Sequence, residues 1–202
     1  MILAIMQPYL FPYIGYWQLI ANSDEFVFFD VVPYHKRSWM NRNRILYPDK
    51  SQKFQYLSIP IAKYKEGTLI KDVVLSNNEK WKQNILGKLT VYKKLKAPYY
   101  NDTIDLINSI FTKEYETFLS LSIESIKMIC SYLDIELKYK IASDLNFDRS
   151  EIESPADWAL AISKDQKATS YLNPYGGYRM FDEDKYKSNG ISLRFIKPNL
   201  TP

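Results

Sequence analysis

Short apolar runs of strand length recur along the chain and predict a parallel β-sheet. Residues 2–6 and 26–29 are continuous apolar segments, as expected for strands that are buried on both faces. Between them, residues 13–22 place apolar side chains at helical spacing, with Pro12 at the helix start and Asn22 near its end. A strand, a helix and a second strand in this order predict a βαβ unit, in which the strands are parallel and the crossover is right-handed.

The rest of the chain adds further elements in a mixed order. Strands are predicted at 54–61, 69–75, 137–142, 169–172 and 191–196, and helices at 78–95, 102–111, 115–133 and 155–163. Asn101 or Asp102 is expected to cap the second of these helices, and Ser154 the last. We therefore expect an α/β fold of three layers, Rossmann-like or HUP-like, with a mostly parallel sheet. A single domain is expected over 1–202, with a helical insert at about 79–134.

Composition and charge narrow the class of protein. The net charge of +4 is too small for a dedicated DNA-binding domain, but it is compatible with a ligand that carries phosphate. No apolar stretch has the length of a membrane span, and the first residues lack the basic segment of a signal peptide, so we expect a cytoplasmic protein. Cys130 is the only cysteine, and no cluster of Cys and His residues is present for zinc, so no cofactor is predicted.

The loop after the first strand is the first candidate for ligand binding. It carries Gln7 and Tyr9 and leads into a helix start with Tyr13, Gly15 and Tyr16, where free backbone N–H groups favour phosphate. The segment P-Y-I-G-Y resembles the His-x-Gly-His signature of nucleotidylyltransferases and class I tRNA synthetases. Here tyrosines replace both histidines, and a neutral tyrosine supplies no cation to a triphosphate, which weakens adenylyl transfer. Simple packing of the helix on the sheet is the alternative.

A dense group of polar side chains follows the second strand and carries the strongest signal. Asp30 ends that strand, where a carboxylate meets ligand hydroxyl groups or amines, or caps the next turn. The group that follows contains His35, Lys36, Arg37, Trp39, Asn41, Arg42, Asn43 and Arg44.

Each residue type in this group suits one part of a sugar nucleotide. Arg42 and Arg44 offer planar forks for a diphosphate, and Trp39 offers a face for a base or sugar. Asn41 and Asn43 suit sugar hydroxyl groups, and His35 is the natural general base because imidazole exchanges protons near neutral pH. The alternatives are a solvated basic loop, or contact with RNA through arginine and tryptophan.

Two later segments are weaker candidates. Ser143 and Asp144 end a predicted strand, and the aromatic segment around Gly176 and Gly177 is either a flap over a ligand or a plain hairpin turn.

Several long motifs resemble one family. They are A-I-M-Q-P-Y-L-F-P-Y-I-G-Y-W-Q-L-I at 4–20, D-x-F-V-F-F-D-V-V-x-Y at 24–34, K-R-S-W-M-N-R-N-R-I at 36–45, K-A-P-Y-Y at 96–100 and A-T-S-Y-L-N-P-Y-G-G-Y at 168–178. Together they resemble the WbqC-like family, which is linked to bacterial O-antigen and lipopolysaccharide biosynthesis and to glycine transfer. Relatives run on past the position of Pro202, so a short or truncated version of the family is expected.

The resemblance implies a transferase that acylates, with glycine, the amino group of a nucleotide-linked amino-dideoxy sugar. We expect His35 and Asp30 to be catalytic. The residues expected to bind substrate are Gln7, Tyr9, Tyr13, Tyr16, Lys36, Arg37, Trp39, Asn41, Arg42, Asn43 and Arg44. The activated donor is glycyl-tRNA or an acyl thioester, since the sequence has no GxxxxGK[ST] loop for ATP. The alternatives are an ATP-dependent adenylating enzyme, and a non-catalytic protein that binds a sugar nucleotide or RNA.

Overall fold

The protein forms two compact units. The structure, a computed structural model, describes residues 1–35, 38–49, 52–76, 78 and 80–200. Unit 1 comprises Met1–Gln7, Pro12–Asp30 and Cys130–Pro202, and unit 2 comprises Pro8–Phe11 and Val31–Ile129. The expected single domain with a helical insert stays a prediction.

Seven strands and six α-helices follow one another in the described part of the chain. They are β1 (Ile2–Met6), α1 (Ile14–Ala21), β2 (Glu25–Phe28), β3 (Arg42–Leu46), β4 (Phe54–Ser58), α2 (Lys80–Lys94), α3 (Tyr100–Phe111), α4 (Phe118–Tyr132), β5 (Tyr139–Ile141), α5 (Asp157–Asp165), β6 (Ser170–Pro174), α6 (Glu183–Ser188) and β7 (Ser192–Ile196). Short 3₁₀ helices lie at Ile70–Asp72, Ala142–Asp144 and Tyr175–Met180.

Unit 1 is built on a five-stranded sheet in the order β5-β2-β1-β6-β7. All four neighbouring pairs are parallel, and helices α1 and α5 pack against β6 while α6 packs against β7. The predicted α/β class is therefore confirmed. The strand order reverses at β1, which has β2 on one side and β6 on the other. In open α/β sheets, such a reversal opens a crevice at the carboxyl ends of the two central strands.

The apolar runs of the sequence form the core of unit 1. Leu3, Ala4 and Val27 are fully buried, as expected for central strands of a parallel sheet. Helix α1 packs its buried side against this sheet, and the ring of Tyr16 lies 5.4 Å from that of Phe26. The core is thus continuous from the first strand to the first helix.

Unit 2 combines a two-stranded antiparallel hairpin, β3–β4, with helices. Its core includes Ile70, Val73, Ile110 and Phe118, all fully buried. Helix α2 packs against both strands of the hairpin.

In unit 2, one predicted strand is wrong and one observed strand was not predicted. The segment 69–75 contains the 3₁₀ helix Ile70–Asp72, because its two fully buried side chains, Ile70 and Val73, are three residues apart and do not alternate. Strand β3 was not predicted at all, since only Ile45 of its five residues is buried and its first three, Arg42, Asn43 and Arg44, look like a polar loop.

The predicted caps and the hairpin turn are also wrong. Helix α3 begins at Tyr100, before Asn101 and Asp102 can cap it, and α5 begins at Asp157, whose carboxylate accepts hydrogen bonds from the backbone upstream. The Gly176–Gly177 segment is part of a 3₁₀ helix, and the strands on either side of it are parallel.

Candidate functional site

The predicted site residues are divided between the two units. Unit 1 contains Gln7, Tyr13, Tyr16 and Asp30, and unit 2 contains Tyr9, His35, Trp39, Asn41, Arg42, Asn43 and Arg44. Lys36 and Arg37 lie outside the described residues.

In unit 1, Asp30 joins the carboxyl ends of two neighbouring strands. It follows β2, it is fully buried, and its carboxylate accepts hydrogen bonds from the backbone N–H (2.9 Å) and the hydroxyl (2.7 Å) of Ser143, which follows β5. Burial raises the pKa of Asp30, and the bonds from Ser143 act in the opposite direction. Both carboxylate oxygens have partners within unit 1, so the geometry favours a positioning role for Asp30.

Tyr16 also has an internal role. Its side chain is 1% exposed, and its hydroxyl donates a hydrogen bond to the backbone oxygen of Gln7 (3.0 Å). This matches the alternative in which the aromatic residues of the motif hold the helix on the sheet. Tyr13 is half exposed, and a Cβ added at Gly15 would collide with its ring and lie 3.1 Å from Cγ of Pro198. Gly15 is therefore needed for close packing at the helix start.

The sequence prediction missed Asn173 at the end of β6, the strand beside β1. Asn173 is buried, accepts a hydrogen bond from the hydroxyl of Tyr171 (2.9 Å) and donates one to the oxygen of Pro174 (3.0 Å). A Cβ at Gly177 would collide with Nδ2 of Asn173 and lie 3.2 Å from the ring of Phe181. Ser143 was singled out in the sequence because it ends a predicted strand, and the same signal could have found Asn173.

In unit 2, arginine and aromatic side chains interleave on the exposed side of the β3–β4 hairpin. We call Trp39, Arg42, Arg44, Phe54 and Tyr56 the hairpin face. The guanidinium of Arg42 lies 5.2 Å from the ring centroid of Trp39 and 5.1 Å from that of Tyr56. The guanidinium of Arg44 lies 5.0 Å from Trp39 and 4.8 Å from Phe54. A guanidinium stacked in this way keeps its N–H groups in its own plane, free for an anion.

The alternation of side chains along the hairpin explains this arrangement. Arg44 pairs with Tyr56 across the strands, and Arg42 and Phe54 lie two residues along, on the same side. The opposite side carries Ile45 and Leu57, which are buried in the core of unit 2.

Asn41 and Asn43 bind the backbone of unit 2. Nδ2 of Asn41 donates to the oxygen of Ile59 (2.8 Å), and Nδ2 of Asn43 donates to the oxygen of Phe11 (2.5 Å). Both amides therefore help to hold the hairpin in place, a use that differs from the predicted contact with sugar hydroxyl groups.

His35 lies in an open cleft of unit 2. It is exposed, and the cleft has a volume of about 890 Å³ and is also lined by Tyr34, Lys63, Tyr64 and Glu66. The last three residues come from the loop that follows β4, and nothing in their local sequence pattern links them to His35. This volume lies within the range of small-molecule sites.

Tyr34 lies at the base of this cleft. Its ring meets that of Tyr64 edge-on at 5.2 Å, and its hydroxyl is hydrogen-bonded to Ser38. Burial raises the pKa of Tyr34 to about 12, with a smaller lowering by the charge of Arg42. Tyr34 is thus neutral near pH 7.

The described residues lack two further classes of site. They contain no group of three or more His, Cys, Asp and Glu residues that could hold a metal ion. None of the helices described is both long enough and apolar enough to span a membrane.

The protein is thus of the α/β class, with a parallel sheet of reversed strand order in unit 1 and a cationic, aromatic surface in unit 2. The chain belongs to the WbqC-like protein family, whose family model matches residues 7–202. It is similar to the uncharacterized protein Rv1507c of Mycobacterium tuberculosis, with 29% identity over 187 residues that cover 89% of this chain and 77% of the relative. No solved structure matches the chain.

Proposed function

We propose that the protein is an enzyme that transfers an acyl group, specifically glycyl, to the amino group of a nucleotide-linked amino sugar in O-antigen biosynthesis. The observation that carries this proposal is the exposed His35 in an open cleft, beside Lys63 and Glu66. Membership of the WbqC-like family supports it. Nucleotide-linked sugars and aminoacyl donors are cytoplasmic metabolites, so we place the reaction in the cytoplasm.

His35 acts as the general base in this proposal. The sugar amine, after losing its ammonium proton, attacks the carbonyl carbon of the activated donor, and the imidazole accepts the second proton as the C–N bond forms. The bond between that carbon and the leaving oxygen or sulfur then breaks. The imidazolium returns its proton to the leaving group, which departs as an alcohol or a thiol, so His35 ends the cycle neutral.

The surroundings of His35 suit a phosphorylated sugar. Lys63 supplies a cation for phosphate, and Tyr64 supplies an aromatic face on which a sugar or base can rest. Arg42 and Arg44 bind the phosphates of a nucleotide-containing substrate through their in-plane N–H groups.

The test is a transfer assay with the purified protein. Uridine and deoxythymidine diphosphate amino sugars are mixed with either glycyl-tRNA or a glycyl thioester, and the acceptor is analysed by mass spectrometry. We expect the acceptor to gain one glycyl group. Tight binding of the sugar nucleotide with no product from either donor would contradict the proposal in favour of a binding protein. Consumption of ATP with release of pyrophosphate would contradict it in favour of an adenylating enzyme.

A further inference from the structure

The hairpin face has more stacking surface than a single nucleotide can use. Its three rings follow one another, with centroid distances of 6.2 Å from Trp39 to Tyr56 and 5.6 Å from Tyr56 to Phe54. Each ring is about 40% exposed: 44% for Trp39, 41% for Tyr56 and 38% for Phe54. Large aromatic side chains of this kind are ordinarily buried, so a row of three beside two arginines indicates a binding surface.

The charge around this face is one-sided. The described residues within 38–65 contain five lysine and arginine residues and a single carboxylate, Asp49, although the whole chain has a net charge of only +4. Helix α2, which packs against both strands of the hairpin, carries five lysines and no carboxylate. One of these lysines, Lys88, donates a hydrogen bond to the backbone oxygen of Tyr56 (2.7 Å). The small net charge therefore hides a local concentration of cations that is complementary to a chain of phosphates.

The two arginines retain unused donors. Nε of Arg42 is buried and has no hydrogen-bond partner among the described residues. Every ion pair among the described residues is made by a lysine. No described carboxylate therefore neutralises Arg42 or Arg44. Because no described carboxylate pairs with them, the two guanidinium groups can donate to the oxygens of a phosphate.

Stacking surfaces interleaved with cations are typical of proteins that bind single-stranded nucleic acid. Each unpaired base has two free faces for aromatic side chains, whereas a duplex hides them. The cleft of His35 adjoins this surface along the chain, because Ser38, which directly precedes Trp39, donates a backbone hydrogen bond to the oxygen of His35 (3.1 Å). A strand that is bound on the hairpin face can therefore place its terminus close to His35.

We propose that the hairpin face binds the single-stranded end of an RNA, which in the proposed reaction is the RNA that carries the glycyl group. This inference rests on the proposed function for the identity of the RNA, and on the face itself for single-strand binding. It assigns the ester of an RNA terminus, and not a thioester, as the donor.

The test is fluorescence anisotropy with the full chain and a labelled single-stranded RNA of about ten nucleotides ending in CCA, a length within the range that single-strand sites cover. Trp39→Ala and Arg44→Gln are expected to weaken binding about tenfold or more, since one stacked base contributes that much. Tyr132→Ala and Lys187→Gln are matched controls that remove an exposed ring and an exposed charge outside the hairpin, and they should bind like the wild type. All substituted side chains are exposed, and thermal melting confirms that each variant is folded.

The salt dependence separates the roles of ring and charge. Affinity for the RNA should fall with salt, and Arg44→Gln should make that fall less steep by about one phosphate contact, while Trp39→Ala should leave the slope unchanged. Arg44→Lys should keep the slope and lose affinity, because an ammonium group replaces the flat, stacked guanidinium.

Three results would overturn the inference: equal affinity for the duplex of the same sequence, unchanged binding in both face variants, or no binding by the wild type. The proposed function fails separately. If RNA binding requires the hairpin face but no acceptor is glycylated, the transfer reaction is wrong and the RNA surface stands. If the acceptor is glycylated from a thioester and the face variants bind RNA like the wild type, the reaction stands and the RNA surface is wrong.

Discussion

His35 is the residue on which the proposed chemistry depends, and its exposure makes it simple to test. Because it has little role in the core, His35→Gln should leave the melting temperature within about 2 °C of the wild type, as for other surface substitutions. We expect kcat for glycyl transfer to fall roughly 10²- to 10⁴-fold with a small change in KM, since a general base acts in the transition state.

Steady-state kinetics of glycyl transfer by the wild type and His35→Gln measure this effect. Lys65→Gln, in the same unit and also exposed, is the control. A variant at His35 that keeps most of the wild-type kcat would remove this residue from the mechanism.

Substitutions at Asp30 and at its partner Ser143 test whether the Asp30 carboxylate has a structural role. Asp30→Ala removes both hydrogen bonds to Ser143 and leaves its partly buried N–H without a partner, and we expect it to lower the free energy of unfolding by about 2–4 kcal/mol. Ser143→Ala removes only the hydroxyl bond and should cost about 1 kcal/mol. Urea unfolding compares the two. An Asp30→Ala variant as stable as the wild type would show that the carboxylate does not hold the strand ends together.

Some candidate residues could be located in the sequence from their chemical type. Others were misjudged because their hydrogen-bond partners are distant in the sequence. His35, Trp39, Arg42 and Arg44 stand out as uncommon types close together, and the structure places them all in unit 2. Asn41 looks like a ligand-binding amide in sequence, but its partner is the backbone of Ile59, a residue from another segment. Long-range partners of this kind leave no local signal.

At the scale of elements, the glycine pair after β6 offers a matched experiment. A Cβ at Gly177 meets Nδ2 of Asn173, so Gly177→Ala must displace a buried amide, and we expect a loss of about 1–3 kcal/mol. A Cβ at Gly176 has no atom within 4 Å, so Gly176→Ala should change stability by less than about 0.5 kcal/mol. Thermal melting of the two variants checks this. Equal melting temperatures would mean that Asn173 gives way without cost.

Strands with a continuous apolar sequence were predicted well, whereas a strand that combines apolar and polar residues was missed. The strand at Ile2–Met6 was predicted at its observed bounds because all five residues are apolar and a proline follows soon after. Strand β3 was missed because its buried side shows only one apolar residue and its other side carries the arginines of the hairpin face. The polar side chains of this strand thus obscured the pattern that would have predicted it.

For the whole molecule, acid should destabilise the fold through Asp157. The hydrogen bond from Lys185, followed by those from Ser154, lowers the pKa of Asp157 to about 2. An unfolded aspartate has a pKa of about 3.9, so the stabilising effect is complete above about pH 4 and is lost as the pH falls towards 2. Urea unfolding between pH 5 and pH 2 should show Asp157→Asn less stable by roughly 1–2 kcal/mol at pH 5, with the difference vanishing at the acid end. A difference that stays constant with pH would contradict this.

The class of the fold could be predicted from local patterns, but the division of the chain could not. A strand, a helix and a strand in succession indicate a parallel sheet wherever they occur. The assignment of Pro8–Phe11 to unit 2, between two segments of unit 1, depends on contacts with Met40 and other distant residues. Such contacts have no counterpart in the periodicity of the sequence.

The interleaved path of the chain has a consequence for its biosynthesis. When a ribosome has completed Ile129, every residue of unit 2 has been made, but three of the five sheet strands of unit 1 have not. Strand β1 must wait for β6, since Ile2 pairs with Ser170. Contacts that close such long loops form slowly.

We therefore expect unit 2 to become resistant to protease earlier than β1 and β2 in nascent chains of increasing length. Pulse proteolysis of stalled chains measures this order, and simultaneous protection of both units would contradict it. Until the C-terminal strands emerge, β1 and β2 present apolar, unpaired edges, which are templates for aggregation. The nascent protein is thus most in need of a chaperone while its last third is being translated.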